Sequence, residues 1–437
     1  MRETLIISFV RVAKKTLKLL LPKPVIKALV ALKHLIIKMR LYNFTPCDSP
    51  GSGIPVIVGL HRSPIGIGES ARLCKAAFDK AGWLAHTFDV SSLFLPDSIT
   101  ETKPDDIATF KDSGPLVIHA NPPELPFILN KLGSAKTKGR LIISYWAWEL
   151  PKLPKSWIPA FDLVHEVWTP SNFCAQAISQ HTSKKVRVVP HPVDCFQQTE
   201  LSFSFDNLQI PNNACRILTM YDMNSSQTRK NPKAAIEAFK SAMGKDMRAV
   251  LILKVVHSQT NKSEFAKLLK DINGYPNIKI LTANMTSEQV RALLKGVDIV
   301  ISLHRSEGFG LVMAEAMYLG KVVIGTDWSA NQDFMDVNCS ILIPCSLIPV
   351  KDTQGIYQEP GQVWADPDIQ IAAKQIKRMV DQPDLRKQLG NAAYEKTHNQ
   401  FTSQNYFATL GKAFMKHASN SPDFIDRGDK QQYDKKE

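Results

Sequence analysis

The chain has 437 residues, 44% of them hydrophobic and 22% charged, which exceeds the usual size of one domain and excludes a disordered or fibrous protein. Its net charge of +13 is uneven, because residues 1–40 hold ten lysines and arginines against one acid, Glu3. The seven cysteines are scattered and contain no C-x-x-C motif. This pattern indicates reduced structural thiols in a cytosolic protein rather than a disulfide framework.

Residues 1–50 are predicted to form a basic, amphipathic helical extension. Lysines interrupt the apolar residues every few positions, so no window approaches the ~20 apolar residues of a membrane span. Pro22 and Pro24 divide the segment into two helical pieces with basic and apolar residues at helical spacing. The pattern favours an anchor that binds an anionic membrane surface. It predicts a cytoplasmic protein that lies on the inner face of the cytoplasmic membrane.

The extension has three other interpretations. A helix pair folded onto the first domain explains the same spacing. A cleaved signal peptide fits less well, because charge continues through its apolar region. Nucleic acid is not expected as a partner, because the charge lies in an apolar-rich terminus and not in a groove with interleaved aromatic residues.

Residues 51–205 are predicted to be a first domain in which strands alternate with crossover helices. Strands are expected at 54–60, 84–90, 116–119 and 141–144. The first strand leads through a turn with Gly66 and Gly68 into a helix over 69–81. Such a turn can bring the backbone close to a phosphate or a reacting sugar, and a turn that serves packing alone is the equal alternative.

Polar and aromatic residues end the third and fourth strands of this domain. His119 closes the third strand, where a histidine is often a core group with its hydrogen bonds satisfied. Trp146, Trp148 and Glu149 follow the fourth strand. Aromatic faces can hold a sugar, so Trp146 and Glu149 are acceptor-binding candidates, with core packing of the tryptophans as the alternative.

Residues 206–400 are predicted to be a second domain, beginning with a strand at 215–220 and a helix at 233–242 that Asn231 caps. Arg229 and Lys230 stand just before that helix. Two cations beside free amides can hold a diphosphate and stabilise it as it leaves. The alternative is a solvated basic pair. Lys254, at the end of a strand over 249–254, is a second candidate for the same task.

The segment 306–320 carries two acids, Glu307 and Glu315, around a Gly-Phe-Gly turn between a strand at 297–303 and a helix at 311–319. At ~1.5 Å per helical residue the two carboxylates can lie up to ~12 Å apart. The free amides between them suit a phosphate. The order therefore predicts a site for sugar, diphosphate and ribose, and two solvated glutamates are the alternative. The remaining donor-binding candidates in this segment are Ser306, Gly308, Phe309, Gly310 and Leu311.

No metal or other cofactor is expected. Asp366-Pro-Asp368 has the D-x-D form of a metal motif, but it precedes an amphipathic helix over 369–380 and is interpreted as its cap. No His or Cys cluster has metal-ligand spacing. Residues 401–418 are predicted to be a terminal helix, and the polar residues 419–437 are predicted to be disordered.

The segment 303–320, followed by 322–335, closely resembles glycosyltransferase family 4 (glycosyltransferase group 1), the retaining enzymes of the GT-B fold. Further blocks in the same order resemble bacterial members that build surface polysaccharides. These blocks are 63–72, 145–150, 166–171, 188–193 and 229–232. The resemblance covers roughly residues 54–415. Many members carry Gly-Arg directly after the first strand of the second domain, where this chain has Tyr221-Asp222.

The resemblance implies an α/β GT-B protein, with two Rossmann-like domains whose parallel sheets face a central cleft and a last helix that crosses back to the first domain. It places the turn of Gly66 and Gly68 over the donor phosphates. It also makes Glu307, His119, Arg229 and Lys230 the catalytic candidates.

The implied reaction is retaining transfer of a hexose from a UDP- or GDP-sugar to a glycan or lipid-linked oligosaccharide, in the synthesis of lipopolysaccharide or another surface polysaccharide. Two alternatives stay open. One is a sugar-nucleotide epimerase of the same fold, and the other is an inactive scaffold that binds glycan or nucleotide.

Overall fold

The computed structural model describes residues 53–63, 65–94, 114–195 and 200–418, and it contains two parallel six-stranded sheets. The first sheet has the order β2-β1-β3-β4-β5-β6, with every neighbouring pair parallel. Its strands are β1 Val56–Gly59, β2 His86–Asp89, β3 Leu116–His119, β4 Ile142–Tyr145, β5 Glu166–Thr169 and β6 Lys185–Val188. Strands buried on both faces read as continuous apolar runs, which is why β1 and β3 are recognisable in the sequence.

Helices connect these strands in the way parallel pairing requires. They are α1 Gly66–Lys80, α2 Ser91–Phe94, α3 Leu125–Leu132, α4 Ser134–Thr137 and α5 Asn172–Ser179, with a 3₁₀ helix at Lys155–Leu163. The carboxyl ends of β1, β3 and β4 therefore meet at one edge of the sheet. That edge carries the glycine turn, His119 and the loop of Glu149.

The second sheet has the order β12-β11-β10-β7-β8-β9, again with parallel neighbours. Its strands are β7 Cys215–Asp222, β8 Ala249–Val256, β9 Ile278–Leu281, β10 Ile299–Ser302, β11 Val322–Thr326 and β12 Ile341–Ile343. Its helices are α6 Gln227–Lys230, α7 Pro232–Met243, α8 Lys262–Ile272, α9 Ser287–Gly296, α10 Leu311–Tyr318, α11 Ile369–Asp381 and α12 Pro383–Gln400.

An antiparallel hairpin projects from the second domain. It consists of β13 Cys345–Pro349 and β14 Val363–Pro367, joined by residues 350–362. Trp364 of the hairpin and Tyr357 of its loop pack into the apolar core of the first domain. The hairpin therefore bridges the two domains.

The last helix, α13 Ser403–Ala418, also returns to the first domain. Tyr406 and Leu410 are buried in one cluster with Phe78 and Tyr145. This contact ties α13 to the face of the first sheet that lies under α1.

The α/β architecture with two parallel sheets confirms the predicted fold class. Asp368 caps α11 as predicted, since its carboxylate accepts from the amides of Gln370 and Ile371. One local prediction was wrong. Asn231 stands before Pro232 at the start of α7 with a φ of +50°, but its side chain does not cap the helix. The side-chain amide of Asn231 donates instead to the carbonyl of Leu303.

The predicted extension 1–50 and the tail 419–437 lie outside the described residues. None of the described helices is both long and apolar enough to cross a bilayer. The six described cysteines are free.

Candidate active site

A buried carboxylate held by two cations occupies the loop after β10. The Glu307 side chain is only 10% exposed, and its Oε1 accepts from Lys230 Nζ at 2.6 Å. Its Oε2 lies 3.2 Å from Nη1 of Arg229. Burial alone would raise the pKa of Glu307, but Lys230 and Arg229 outweigh it and lower the pKa to about 2. Glu307 is therefore an anion held in a fixed position.

The short helix α6 carries both cations, and hydrogen bonds at its two ends hold it in position. Ser226 caps it, accepting from the amide of Arg229. At its carboxyl end, the Arg229 carbonyl accepts from the amide of Arg305 at 2.7 Å. The α6 helix is thus joined to the chain that leads into Glu307, which fixes the distance between cations and carboxylate.

The two cations differ in access. Arg229 has a side chain 5% exposed, and its guanidinium donates to the Ser306 carbonyl at 2.8 Å and lies 3.7 Å from Glu149. The Lys230 side chain is 26% exposed. Lys230 can therefore reach a ligand, whereas Arg229 holds neighbouring protein groups in place. The two residues were predicted to act alike, and the structure separates them.

The turn between Glu307 and α10 has an unusual backbone. Ser329 Oγ accepts from the amide of Glu307 at 2.9 Å, and Gly310, with φ +90°, begins α10. A side chain at that φ would be strained, so the turn requires glycine there. No described residue accepts from the amides of Phe309, Gly310 and Leu311. The start of α10 therefore has free donors that suit an anion.

Glu315 lies further along α10, and its side chain forms no hydrogen bond with another described residue. It is 8% exposed. Burial raises the pKa of Glu315 well above its usual value, and Glu69 of the first domain adds to the increase. A carboxyl group in this position can exchange hydrogen bonds with a hydroxyl, and the effect of Glu69 indicates that the first turn of α1 lies on the same side of the cleft as α10.

The glycine turn before α1 contains one glycine that packing demands. A Cβ on Gly68 would lie 2.5 Å from the Leu60 carbonyl oxygen and 2.6 Å from that of Ser63, whereas a Cβ on Gly66 would meet nothing within 4 Å. Packing against these two carbonyls therefore explains the glycine at position 68. A turn that serves packing was one of the two interpretations that the sequence left open. Gly66 has space beside it.

His119 is part of a stack of buried rings. Its ring lies 4.9 Å from that of Tyr145, which in turn lies 5.5 Å from that of His191. Nδ1 of His119 is 2.7 Å from Ser70 Oγ, whereas Nε2 is buried without a partner among the described residues. Burial, with His61 and His191 nearby, lowers the pKa of His119 well below its usual value, so the ring is neutral. Its free nitrogen can therefore serve a ligand.

Lys254 stands apart from the group around Glu307. Its ammonium donates to the carbonyl of Ala283 at 2.9 Å, and burial lowers its pKa to about 8. The structure shows no contact between Lys254 and Glu307 or Lys230, so its assignment to the diphosphate stays a prediction.

The two acceptor-binding candidates, Trp146 and Glu149, lie in different environments. Trp146 is completely buried, with its indole nitrogen donating to Ser144 Oγ and its ring packed on Phe161. Its prediction as an acceptor ligand was wrong, because the first-domain core encloses it. Glu149 is 22% exposed and faces Arg229, so it lies where the two domains meet. Ser306 is buried and donates to the carbonyl of Glu149.

Two residues near Glu307 escaped the sequence analysis. Tyr357 carries its ring over Arg229, with 5.5 Å between the guanidinium carbon and the ring centroid. His304 is fully buried with both ring nitrogens unpartnered among the described residues, and burial lowers its pKa to about 4. His304 was detectable as a histidine three residues before Glu307. Tyr357 had no local signal beyond an aromatic residue in a polar loop.

Solved structures define the class to which this fold belongs. HepE of Anabaena, in complex with UDP and glucose, is 13% identical, has a TM-score of 0.59 and matches 83% of this chain and 99% of its own. Sucrose-phosphate synthase of Thermosynechococcus elongatus is 14% identical with a TM-score of 0.59, covering 84% and 100%. TarM of Staphylococcus aureus, 16% identical with a TM-score of 0.50, matches 69% of this chain, which spans 55% of the length of TarM. The fold is that of the GT-B glycosyltransferases.

One part of the sequence matches a known family. The segment 219–337 matches the family described as glycosyl transferases group 1. It contains α6, Glu307 and Glu315. A search of curated proteins found no match.

Proposed function

We propose that the protein transfers a hexose from a UDP-sugar to a glycan or lipid-linked acceptor with retention of configuration. The observation that carries the proposal is the buried Glu307 anion, fixed by Arg229 and Lys230 beside the free amides at the start of α10. HepE and TarM were solved with UDP, which favours uridine over guanosine.

Each group in the site has a separate task. Glu307 accepts hydrogen bonds from hexose hydroxyls, as a fixed carboxylate does. Lys230 and the amides of Phe309 to Leu311 hold the diphosphate and stabilise the charge that develops on it. Glu315 exchanges hydrogen bonds with the ribose, and Arg229 keeps Glu307 in position.

The reaction balances without a protein nucleophile. The acceptor hydroxyl oxygen forms the new bond to the anomeric carbon on the face from which the diphosphate leaves. The bond from that carbon to the diphosphate oxygen breaks with its electron pair. The hydroxyl proton passes to the departing diphosphate. The neutral His119 places an uncharged ring next to the sugar and leaves this proton transfer undisturbed.

The acceptor and the cellular site follow from the extension and the resemblance. We infer that residues 1–50 bind an anionic membrane surface and bring a lipid-linked oligosaccharide of surface-polysaccharide synthesis to the cleft. Removing residues 1–45 should release the protein from the membrane fraction. Sedimentation of the truncated protein with membranes would refute the anchor.

The deciding experiment is a panel of UDP- and GDP-sugars with the purified full chain, measured as release of nucleoside diphosphate in the presence of lipid-linked acceptors. We expect release from one UDP-hexose that depends on the acceptor. A free sugar nucleotide inverted at C2 would show an epimerase instead. No thermal shift with any nucleotide, together with no release, would show a scaffold that lacks affinity for the donor.

A further inference from the structure

The loop that joins the two strands of the hairpin, residues 350–362, is here called the strap. It leaves the second domain, contacts α6 and reaches the core of the first domain. The strap is therefore in contact with the helix that carries Arg229 and Lys230 and with the opposite wall of the cleft.

Hydrogen bonds attach the strap to α6 and its preceding turn. Ser226, the cap of α6, donates from its hydroxyl to Asp352 at 2.7 Å. The amide of Gln227 donates to the side chain of Gln354 at 3.0 Å, and Gln354 donates in turn to the carbonyl of Met223 at 3.2 Å. Any movement of the strap must therefore move α6 or break these bonds.

Asp352 makes the strap rigid at this point. It is 5% exposed, and its carboxylate also accepts from the amides of Ile356 at 2.7 Å and Tyr357 at 3.2 Å. Because one buried carboxylate joins α6 to the backbone of Tyr357, the position of the Tyr357 ring is fixed relative to α6.

Tyr357 meets the first domain on its other side. Its ring centroid lies 5.4 Å from that of Trp148, and only 5% of the residue is exposed. Near the end of the strap, Gln362 exchanges hydrogen bonds with the backbone of Lys152, accepting from its amide at 3.3 Å and donating to its carbonyl. Opening the cleft must break these contacts or the bonds to α6.

We propose that Tyr357 is a positioning residue for Arg229, and that the strap couples closure of the two domains to assembly of the donor site. The guanidinium of Arg229 has the Tyr357 ring on one side and the carboxylates of Glu307 and Glu149 around it. Glu149 and the Trp148 contact of Tyr357 both belong to the first domain. Domain separation would thus remove Glu149 from Arg229, and it would also remove the Trp148 contact that holds the Tyr357 ring from the other side.

The test rests on the proposed function and compares Tyr357→Leu with Tyr357→Phe in the full chain. Tyr357→Leu removes the aromatic face, so kcat should fall about tenfold while the affinity for UDP changes little. The fraction of UDP-sugar lost to water should rise, because an unassembled cleft excludes water less well. Tyr357→Phe keeps the ring and should restore kcat to within about threefold of wild type.

Ile356→Ala is the matched control, since Ile356 precedes Tyr357 in the strap and is 50% exposed. It should leave kcat and the ratio of transfer to hydrolysis unchanged. The proposal is overturned if Tyr357→Leu keeps wild-type kcat, or if Tyr357→Phe loses as much as Tyr357→Leu does.

Small-angle scattering separates failure of this proposal from failure of the proposed function. If wild type transfers no sugar, the proposed function fails, but a larger radius of gyration for Tyr357→Leu than for wild type and Ile356→Ala would still support a strap that holds the domains closed. Equal radii of gyration for all three proteins would reject the proposal that the strap holds the domains closed.

Discussion

At the scale of single residues, the site depends on a balance between burial and charge at Glu307. A buried carboxylate without partners takes up a proton, but two cations within 3.2 Å keep this one ionised. The balance is local, because Lys230 and Arg229 are neighbours in sequence and come from one turn of α6. Glu315, for which burial outweighs the nearby cation Arg291, shows the opposite behaviour in the same cleft.

Replacing Glu307 with Gln removes the charge and keeps the shape. We expect kcat to fall by about 10²–10³, since a fixed charged group in a closed site contributes on that order. Stability should fall by about 1–3 kcal/mol, because Arg229 and Lys230 lose their closest anion. Transfer assays and thermal unfolding measure the two effects. Glu237→Gln on the exposed face of α7 is the control, and unchanged turnover in Glu307→Gln would refute the assignment.

Lys254 gives a prediction about pH. Its folded pKa of about 8 lies below the ordinary value of 10.5, so the folded protein releases this proton before the unfolded chain does. Stability should therefore rise from pH 8 to 10.5 by on the order of 1–3 kcal/mol, and Lys254→Met should lack that rise. Urea unfolding at pH 7, 8.5 and 10 measures it. Lys374→Met, at an exposed position, should keep the wild-type profile.

At the scale of elements, the four-residue helix α6 carries both cations of the site and is held in place by other parts of the chain. Its cap, Ser226, bonds both the helix backbone and the strap. A helix this short has too few internal hydrogen bonds to be stable alone. Its geometry therefore depends on contacts at its two ends.

Ser226→Ala should destabilise the protein by about 1–2 kcal/mol through the lost cap and also lower kcat several-fold. Asp368→Ala removes the cap of α11 and should cost a similar stability with kcat unchanged. Calorimetry and initial rates on both variants separate the effects. Equal kcat in the two variants would mean that α6 does not need its cap to position Arg229 and Lys230.

The elements also show how far the sequence was informative. Buried parallel strands and the Gly-Phe-Gly turn have strong local patterns, so the fold and the loop of Glu307 were predictable. The enclosure of Trp146 was not, because an aromatic residue after a strand looks the same in a core and in a cleft. The role of the strap was equally hidden, since Tyr357 meets Arg229 across 128 positions and no local spacing encodes such a contact.

At the scale of the whole molecule, the two domains are joined at several separate places. The strap is one, and the contact between the α5 region and the loop of Glu307 is another, with Ser171 donating to the Gly308 carbonyl at 2.7 Å. The third is α13, which follows the second domain in sequence and packs against the first. Distinct connections of this kind allow the cleft to open at one side while the chain stays linked at the other.

The crossing helix should therefore stabilise the first domain as well as link the two. Leu410 is fully buried against the cluster of Phe78 and Tyr145, so Leu410→Ala should cost about 2–5 kcal/mol by leaving a cavity. Leu269→Ala, at a position 45% exposed on α8, should cost less than about 0.5 kcal/mol. Because the described residues of that cluster belong to the first domain and to α13, the destabilised variant should lose the first domain before the second. Calorimetry would then show two transitions, and α13 would be a structural part of the first domain although it follows the second in sequence. A single transition shifted as a whole would show instead that the strap and the Ser171 contact are enough to make both domains unfold together.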